Sequence, residues 1–310
     1  MASRNAEKTA PNLDLLLPSW QLSLRADRKS ETTLKTYSDG VRFYLAWCAE
    51  QQAAPLERGS IRSWVAALLD KGNQPATARA RQLAVRRFTS WLTEEGELPA
   101  DPFLGLKPPK LDSKVVEPLT DDDLRALLKA CTPPKGCTPA EMLRHRRDEA
   151  ILRLMMETGA RAGEVVAIER ADVDAAAGTA IIRRGKGGKG RVVPFGPYTA
   201  LALDRYMRLR THHRLASSPA LWLGDRGKGF TYDALHQALA GRATAAGIVG
   251  FHPHKMRHTA AHRWLAAGGS EGGLMAVAGW TRPDMLMRYT KAQASSRAAA
   301  EARGLNLGEL

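Results

Sequence analysis

Five residues in the second half of the chain have side chains suited to chemistry on a phosphate ester. Arg161 and Arg257 can each meet two phosphate oxygens with a planar guanidinium, which a lysine cannot do. His254 and Lys186 can move protons, and Tyr289 carries a hydroxyl that can attack phosphorus. Together these residue types predict phosphodiester chemistry in which a tyrosine, without a metal, is the nucleophile.

Two of the charged residues lie in sequence contexts that would fix their position. His254 and Arg257 are three residues apart in HPHKMRHTAAHRWL and therefore share a face of a predicted helix. Pro253 sets the first turn, and a helix N-terminus attracts anions. Arg161 follows the helix stop at Gly159 and lies on a tight turn. Histidine-rich basic helices and loop arginines are common, so neither motif is specific by itself.

Glu164 and His258 are candidates for supporting roles at this site. Glu164 comes three residues after Arg161 and can pair with that arginine or with Arg257, which would hold the guanidinium in place. His258 directly follows Arg257 in the same motif.

The glycine-rich run GKGGKGR contains Lys186 and Lys189 between two β-type runs. It is not a Walker A phosphate loop, because Arg191 and Val192 stand where that motif needs Lys and Ser or Thr. A β-hairpin with both lysines at its tip is predicted instead. Lys186 could then reach DNA and protonate a leaving oxygen, and a solvated basic turn is the alternative.

Tyr289 has an amphipathic setting that also fits a half-buried core residue.

Composition favours a soluble protein that binds nucleic acid. The 310 residues carry a formal net charge of +14, from 46 Lys and Arg against 32 Asp and Glu, and the sequence pI is about 10.0. Such a surplus is typical of polyanion binders, with a basic solvated surface as the alternative. Three cysteines without a CxxC pair argue against a zinc knuckle. No segment resembles a transmembrane helix or a signal peptide, so a cytoplasmic protein is expected.

The order of predicted elements divides the chain into two domains. Helical spacing of apolar residues fills the first part, a proline-rich stretch follows, and the second part combines helices with the hairpin. Ser30 is a cap candidate for a helix in the first part, and Thr120 with Asp123 predicts a capping box at the start of the second part. The predicted fold is mainly α with a small antiparallel β-sheet. The expected segments are a flexible N-terminus at 1–11, a helical DNA-binding domain at 12–103, a linker at 104–119, a catalytic domain at 120–295 and a tail at 296–310.

Basic residues outside the chemical motifs are candidates for DNA contacts. Arg79, Gln82 and Arg86 fall on one face of a predicted helix at i, i+3 and i+7, which suits a major groove. Lys107 and Lys110 lie in the proline-rich linker and could follow a phosphate backbone. Lys189 at the hairpin tip is a further candidate. A solvated basic face is the alternative for the helix.

These motifs, in this order, resemble those of the tyrosine recombinase family, which includes the phage integrases and Xer-type recombinases. TGARAGE resembles the family's first arginine box, and the first lysine of GKGGK its hairpin lysine. HPHKMRH resembles its H-x-x-R box, and AGWTRPDMLMRY the box that carries the tyrosine. The resemblance covers about residues 120–295. The N-terminal helices resemble, more loosely, the family's four-helix core-binding (SAM-like) domain.

The resemblance implies a mechanism and a role for each residue. Tyr289 would attack the scissile phosphate and form a 3′-phosphotyrosine link. Arg161 and Arg257 would neutralise the developing charge. His254 would share the tyrosine proton, and Lys186 would protonate the departing 5′ oxygen. Because the covalent link conserves the energy of the phosphoester bond, the resemblance implies no metal and no cofactor.

Trp280 is a departure from the family pattern, because most members have histidine at this position. An indole N–H donates a hydrogen bond but cannot accept or carry a proton. Trp280 is therefore expected to orient a phosphate oxygen or to pack against the tyrosine helix.

The resemblance also implies partners. These are double-stranded DNA and three further copies of the chain, which would assemble as a homotetramer on paired DNA sites from a protein that is monomeric in free solution. The tail at 296–310 is a candidate for docking on a neighbour, in cis or in trans, and an accessory directionality factor is possible. No membrane partner is expected.

Several functions fit the residues. A small two-domain integrase of a phage or mobile element, without an arm-binding domain, is the preferred interpretation; it would integrate and excise DNA. The alternatives are a Xer-type resolvase of chromosome dimers, a type IB topoisomerase-like enzyme that relaxes supercoils, and a non-catalytic DNA-binding protein of the same fold.

Overall fold

The structure is a computed structural model that describes residues 11–111, 117–183, 190–224, 229–283, 285–286 and 303. The chain divides into two compact units, residues 1–114 and 115–310. The fold is mainly helical with one small antiparallel sheet, which confirms the predicted fold class. The elements are α1 Leu13–Ala26, α2 Glu31–Glu50, α3 Arg58–Asp70, α4 Pro75–Glu94, α5 Asp121–Ala130, α6 Pro139–Thr158, α7 Ala162–Val166, the 3₁₀ turn Arg170–Asp172, β1 Val173–Asp174, β2 Thr179–Ile182, β3 Arg191–Pro194, α8 Pro197–Arg210, α9 Tyr232–Ala245, α10 Pro253–Ala266 and α11 Glu271–Ala278.

The first unit is built from α1 to α4 around an aromatic core. The side chains of Asn12 and Ser30 cap α1 and α2 by accepting hydrogen bonds from backbone N–H groups, as the sequence predicts for Ser30. Trp20 lies in van der Waals range of Phe88, with ring centroids 5.1 Å apart, and Tyr44 lies 5.0 Å from Trp64. Aromatic side chains bury the largest apolar areas, so these rings supply much of the stabilisation of the unit.

The basic face predicted on α4 is only partly exposed. Arg79 is exposed, and Arg86 is half-buried with its Nε atom inside the protein. Gln82 is 3% exposed, because it falls on the buried stripe of the helix between Ala78 and Val85. Its amide Nε2 donates to the carbonyl of residue 107 at 3.5 Å. The structure therefore places Gln82 inside the first unit rather than on an exposed DNA-binding face.

The chain after α4 stays attached to the first unit. Phe103 and Leu106 are buried in its core. Arg58 donates to the carbonyl oxygens of Pro102 and Leu104, and this holds the segment against α3. The core of the first unit thus extends to Leu106, past the boundary expected at 103, whereas Lys107 and Lys110 are exposed.

The second unit begins with two helices whose ends were predicted from sequence. Thr120 and Asp123 form a reciprocal capping box at the start of α5, as predicted. Gly159 ends α6 in the left-handed conformation, with φ of 59°, which a glycine adopts without steric cost. The sheet has the order β1-β2-β3 and is antiparallel throughout, with Ile182 paired to Arg191 at the base of the predicted hairpin. The two-residue strand β1 was not predicted.

The first residues of the second unit are fixed to the middle of α10. The backbone N–H of Leu119 donates to Oγ1 of Thr259 at 2.9 Å, and both residues are buried. Two residues further on, Asp121 pairs with Arg263 at 3.5 Å. The start of the unit is therefore joined to the helix that carries His254 and Arg257.

Two kinds of feature are absent from the described residues. No helix among them is long and apolar enough to cross a membrane. In the same part of the chain, no group of three or more histidine, cysteine, aspartate or glutamate side chains is arranged to hold a metal ion.

Candidate active site

The described residues include four of the six predicted catalytic residues. Arg161, His254, Arg257 and Trp280 can be described, together with the supporting residues Glu164 and His258. Lys186, Lys189 and Tyr289 lie outside the described residues, as does the tail at 296–310 except for residue 303.

Arg161 lies at the turn between α6 and α7, two residues after the left-handed Gly159. Its backbone N–H donates to Oε2 of Glu164 at 2.9 Å, and its Nη1 donates to Oε1 at 2.8 Å. The turn thus fixes the backbone of Arg161, and the carboxylate fixes its side chain. This is the pairing with Glu164 that the spacing predicts.

Glu164 is a buried anion held by two arginines. Its side chain is 5% exposed, and Arg191 donates to both carboxylate oxygens, at 2.7 Å and 3.2 Å. Burial alone would raise the pKa of Glu164, but the hydrogen bonds from Arg191 and from the Arg161 backbone outweigh it and hold the pKa below its usual range. Glu164 is therefore ionised under physiological conditions and orients both guanidinium groups.

Arg257 is buried within the second unit and donates to two backbone carbonyls. Its Nη1 bonds to the carbonyl of Gly159, and its Nη2 bonds to that of Ala278, each at 2.7 Å. These carbonyls lie at the C-terminal ends of α6 and α11, where a positive charge is stabilised. A guanidinium has five N–H groups, so it can be held in this way and still face a phosphate.

His254 is exposed in the first turn of α10, one residue after Pro253. Its ring meets that of His258 edge to face, with centroids 4.8 Å apart. Burial, with a smaller effect of His254 and other nearby histidines, lowers the pKa of His258 to about 4. His258 is therefore neutral at physiological pH and can orient His254 without adding charge to the site.

Trp280 packs beneath Arg257. Its side chain is 5% exposed and lies in a small apolar cluster with Leu265, Leu274 and Leu286. The Arg257 guanidinium carbon is 5.2 Å from the centre of the indole ring, a cation–π distance. In this position the tryptophan supports the arginine from below.

Four of the residues described above converge on one pocket. Arg161, Glu164, His254 and Arg257 line a cavity of about 400 Å³ at the N-terminus of α10. The helix N-terminus adds partial positive charge, so the pocket suits a phosphate group. It brings together two arginines that are 96 residues apart in the chain, as the difference between positions 257 and 161 shows.

Sequence reasoning did not assign two residues at or beside this pocket. Tyr232, the first residue of α9, lines the pocket and is 53% exposed. Arg191, the first residue of β3, holds Glu164 from behind. Arg191 drew attention only as a mismatch to a phosphate loop, and its position just after the glycine-rich turn was the available signal. Nothing in the local sequence distinguishes Tyr232 from an ordinary helix-start residue.

Family models match most of the chain. The model described as the phage integrase family matches residues 117–296, and the model of its N-terminal SAM-like domain matches residues 17–96. The chain therefore belongs to the phage integrase family, the tyrosine recombinases, and is an enzyme of that class.

Curated relatives of the chain are Xer recombinases. It is 35% identical over 222 residues to tyrosine recombinase XerD of Mycobacterium leprae, which covers 69% of this chain and 67% of the relative. It is 32% identical over 257 residues to XerC of Mycobacterium bovis strain BCG, covering 80% and 83%. Among the first relatives found, the matched stretch spans 65% to 83% of the relative's length. These matches favour the Xer-type alternative over the expected phage or mobile-element integrase.

Solved structures support the same fold. XerH bound to a palindromic difH substrate has a TM-score of 0.71, with 15% identity and coverage of 95% of this chain and 84% of that one. A lambda integrase tetramer bound to a Holliday junction has a TM-score of 0.68, with 15% identity and coverage of 91% and 78%.

Proposed function

We propose that this protein is a Xer-type site-specific recombinase that cuts and rejoins double-stranded DNA through a covalent tyrosine link. The observation that carries the proposal is the single pocket lined by Arg161, His254 and Arg257, with Glu164 holding the first arginine. That pocket offers two forked cations and a histidine to one phosphate. The identity of 32% to 35% with XerC and XerD supports the Xer assignment.

The proposed reaction follows from the chemistry of each side chain. The Tyr289 oxygen attacks the scissile phosphorus, and the bond from phosphorus to the 5′ oxygen breaks. Arg161 and Arg257 stabilise the negative charge that develops on the non-bridging oxygens. His254 takes the tyrosine proton, and Lys186 gives a proton to the 5′ oxygen. A 5′-hydroxyl from a partner strand then attacks the phosphotyrosine and restores a phosphodiester.

DNA contacts and assembly are part of the same proposal. The exposed Arg79, Lys107 and Lys110 would contact the phosphate backbone, together with Lys189 and Arg86. Strand exchange between two sites requires four active sites, so four protomers would assemble on paired DNA from a monomer in solution. The lambda integrase tetramer on a Holliday junction is a precedent within the fold. The tail at 296–310 would dock on a neighbour in that assembly.

The central test is a covalent trapping experiment. Sheared DNA from the source organism is incubated with the wild-type protein, and fragments that remain attached under denaturing conditions are sequenced to find the site. A nicked duplex of that site then traps the covalent intermediate. We expect Tyr289→Phe to lose the trapped species, whereas Tyr198→Phe, a change at a tyrosine that is 73% exposed, keeps it. Trapping by Tyr289→Phe at the wild-type level would overturn the proposed nucleophile.

A second experiment separates the alternatives. A plasmid with two directly repeated copies of the trapped core site should be resolved into two circles, and gel filtration with DNA should give a species of four protomers. Supercoil relaxation without any higher-order complex would indicate a topoisomerase instead. A strict need for a second, different site with flanking sequence would indicate an integrase.

A further inference from the structure

Arg191 connects three separate elements behind the phosphate pocket. It is the first residue of β3, and its side chain is 12% exposed. Its Nη1 and Nη2 atoms donate to Glu164 after the α6–α7 turn, and its Nε donates to the carbonyl of Val277 at 2.7 Å. All of these contacts lie within the second unit. Arg191 does not line the pocket itself.

Arg191 and Arg161 bind the same carboxylate, that of Glu164. One carboxylate oxygen, Oε1, accepts from Nη1 of Arg161 at 2.8 Å and from Nη1 of Arg191 at 3.2 Å. The carboxylate is thus shared by an arginine that lines the pocket and one that does not. A shared carboxylate has few alternative positions, so the guanidinium of Arg161 is held in one orientation.

Arg191 also fixes the end of α11. Val277 and Ala278 present the last carbonyls of this helix, and Arg191 and Arg257 bond one each. The next residue, Gly279, has a φ of 65°, and a Cβ atom added there would lie 2.9 Å from Nη1 of Arg191. Any larger residue would therefore displace the guanidinium, and Trp280 follows immediately. Arg191 lies in β3 and Arg257 in α10, so two different elements hold adjacent carbonyls of α11.

We infer that Arg191 is a positioning residue for the cleavage step, which acts on the phosphate through Glu164 and Arg161. The inference rests on the proposed function of Arg161 as a phosphate ligand. Loss of Arg191 would leave Glu164 with Arg161 as its only described arginine partner and free the carboxylate to pull that guanidinium away from the pocket. Misplacement of a phosphate ligand lowers the rate of chemistry and leaves DNA binding, which depends on many phosphate contacts, almost unchanged.

The test compares the wild type with Arg191→Gln. The quantity measured is the single-turnover cleavage rate on the DNA site identified by covalent trapping. We expect a rate lower by about 10- to 100-fold, with DNA affinity within about threefold of the wild type. Arg183→Gln is the matched control. Arg183 flanks the other side of the same hairpin, is 55% exposed and pairs with Asp172 and Glu169 instead of Glu164. It should cleave within about twofold of the wild type.

A second substrate distinguishes positioning of Arg161 from a loss of structure. In a methylphosphonate, a methyl group replaces one non-bridging oxygen at the scissile position, so the phosphate carries no charge and depends less on the arginines. On this DNA the defect of Arg191→Gln should shrink to within about threefold of the wild type, as should the defect of Arg161→Ala. An equal defect on both substrates would overturn the inference.

Two further variants keep the outcomes distinct. If Arg191→Gln does not fold, Arg191→Lys keeps the charge but not the forked geometry, and the same two-substrate comparison applies. If Arg161→Ala cleaves normal DNA at the wild-type rate, the proposed function itself is wrong. If Arg161→Ala is slow and Arg191→Gln is not, only the role of Arg191 is wrong.

Discussion

The two units of this protein bury different kinds of side chain. The buried polar residues described in the first unit are Ser38, Ser60, Gln82 and Thr89, none of which is charged. In the second unit the buried residues include both acidic and basic side chains, namely Arg147, Asp148, Glu149, Glu164, Asp172, Arg210 and Arg257. The first unit is thus held by aromatic packing, and the second by packing together with buried charges that bond to carboxylates or to backbone carbonyls.

The difference follows from where each unit would meet DNA. Under the proposed function, the first unit contacts the outside of a duplex and can keep cations such as the exposed Arg79 and Lys107 in water. A unit that stabilises a phosphate in its transition state needs cations that do not move, and such cations must be held by buried partners. Buried charges cost free energy unless each is paired, so the second unit needs a network where the first does not.

Asp148 offers the largest expected effect on this comparison. Its two oxygens are each within 3.0 Å of a guanidinium, from Arg147 and from Arg242, and its side chain is 3% exposed. Asp148→Asn would remove the charge of the buried carboxylate that the two guanidinium groups share, and we expect it to lower the free energy of unfolding by about 3–5 kcal/mol. Urea unfolding followed by circular dichroism measures this change.

The control for Asp148 is an exposed aspartate in the same unit. Asp204 is 52% exposed and pairs with Arg208 at 2.8 Å. Asp204→Asn should change stability by less than about 1 kcal/mol. Equal effects of the two substitutions would contradict the claim that buried charges stabilise the second unit.

Gly40 tests the other half of the comparison, namely that the first unit depends on close apolar packing. A Cβ atom at Gly40 in α2 would lie 2.7 Å from Cβ of Ala84 in α4. Gly40→Ala should therefore separate the two helices and cost about 1–3 kcal/mol. Gly59→Ala in α3, where no atom lies within 4 Å of the added Cβ, should leave stability unchanged or slightly raised. Thermal unfolding of both variants measures the contrast, and a stable Gly40→Ala protein would contradict it.

Substitution of His258 is expected to have the smallest effect on stability, and that effect depends on pH. Burial lowers the pKa of His258 from its ordinary value of about 6.5 to about 4 in the folded protein, so the unfolded chain binds the proton more readily. His258 therefore has no effect on stability above about pH 6.5 and lowers it as the pH drops from there towards 4. His258→Gln should reduce the loss of stability between about pH 7 and about pH 5 by about 1 kcal/mol.

An exposed histidine provides the comparison for that measurement. His212, in the same unit, is exposed. Thermal unfolding of His212→Gln should show the same loss between the two pH values as the wild type. If His258→Gln also shows the wild-type loss, protonation of His258 is not the source of the acid sensitivity.

The sequence predicted those features that depend on neighbouring residues. The capping box of Thr120 and Asp123, the left-handed end of α6 at Gly159 and the cap at Ser30 are all local signals, because the interacting groups lie within a few residues of each other. The pairing of Arg161 with Glu164 belongs to the same class. Residue types and order also predicted the family.

Features that depend on distant residues could not be predicted in this way. Arg191 and Val277 are 86 residues apart, and no pattern near either residue indicates their contact. Gln82 was misassigned because a glutamine on a buried helical stripe looks like a polar surface residue until its partner, the carbonyl of residue 107, is known. The strand β1 has two residues, too few for an alternating pattern to be visible.

The bond between Leu119 and Thr259 has a mechanical consequence. The chain enters the second unit at the residues that are fastened to α10, and this helix carries His254 and Arg257. A pulling force applied at that end of the unit is therefore transmitted directly to the helix that holds two pocket residues. Tension at the start of the unit would therefore act on the position of His254 and Arg257 for as long as that bond holds.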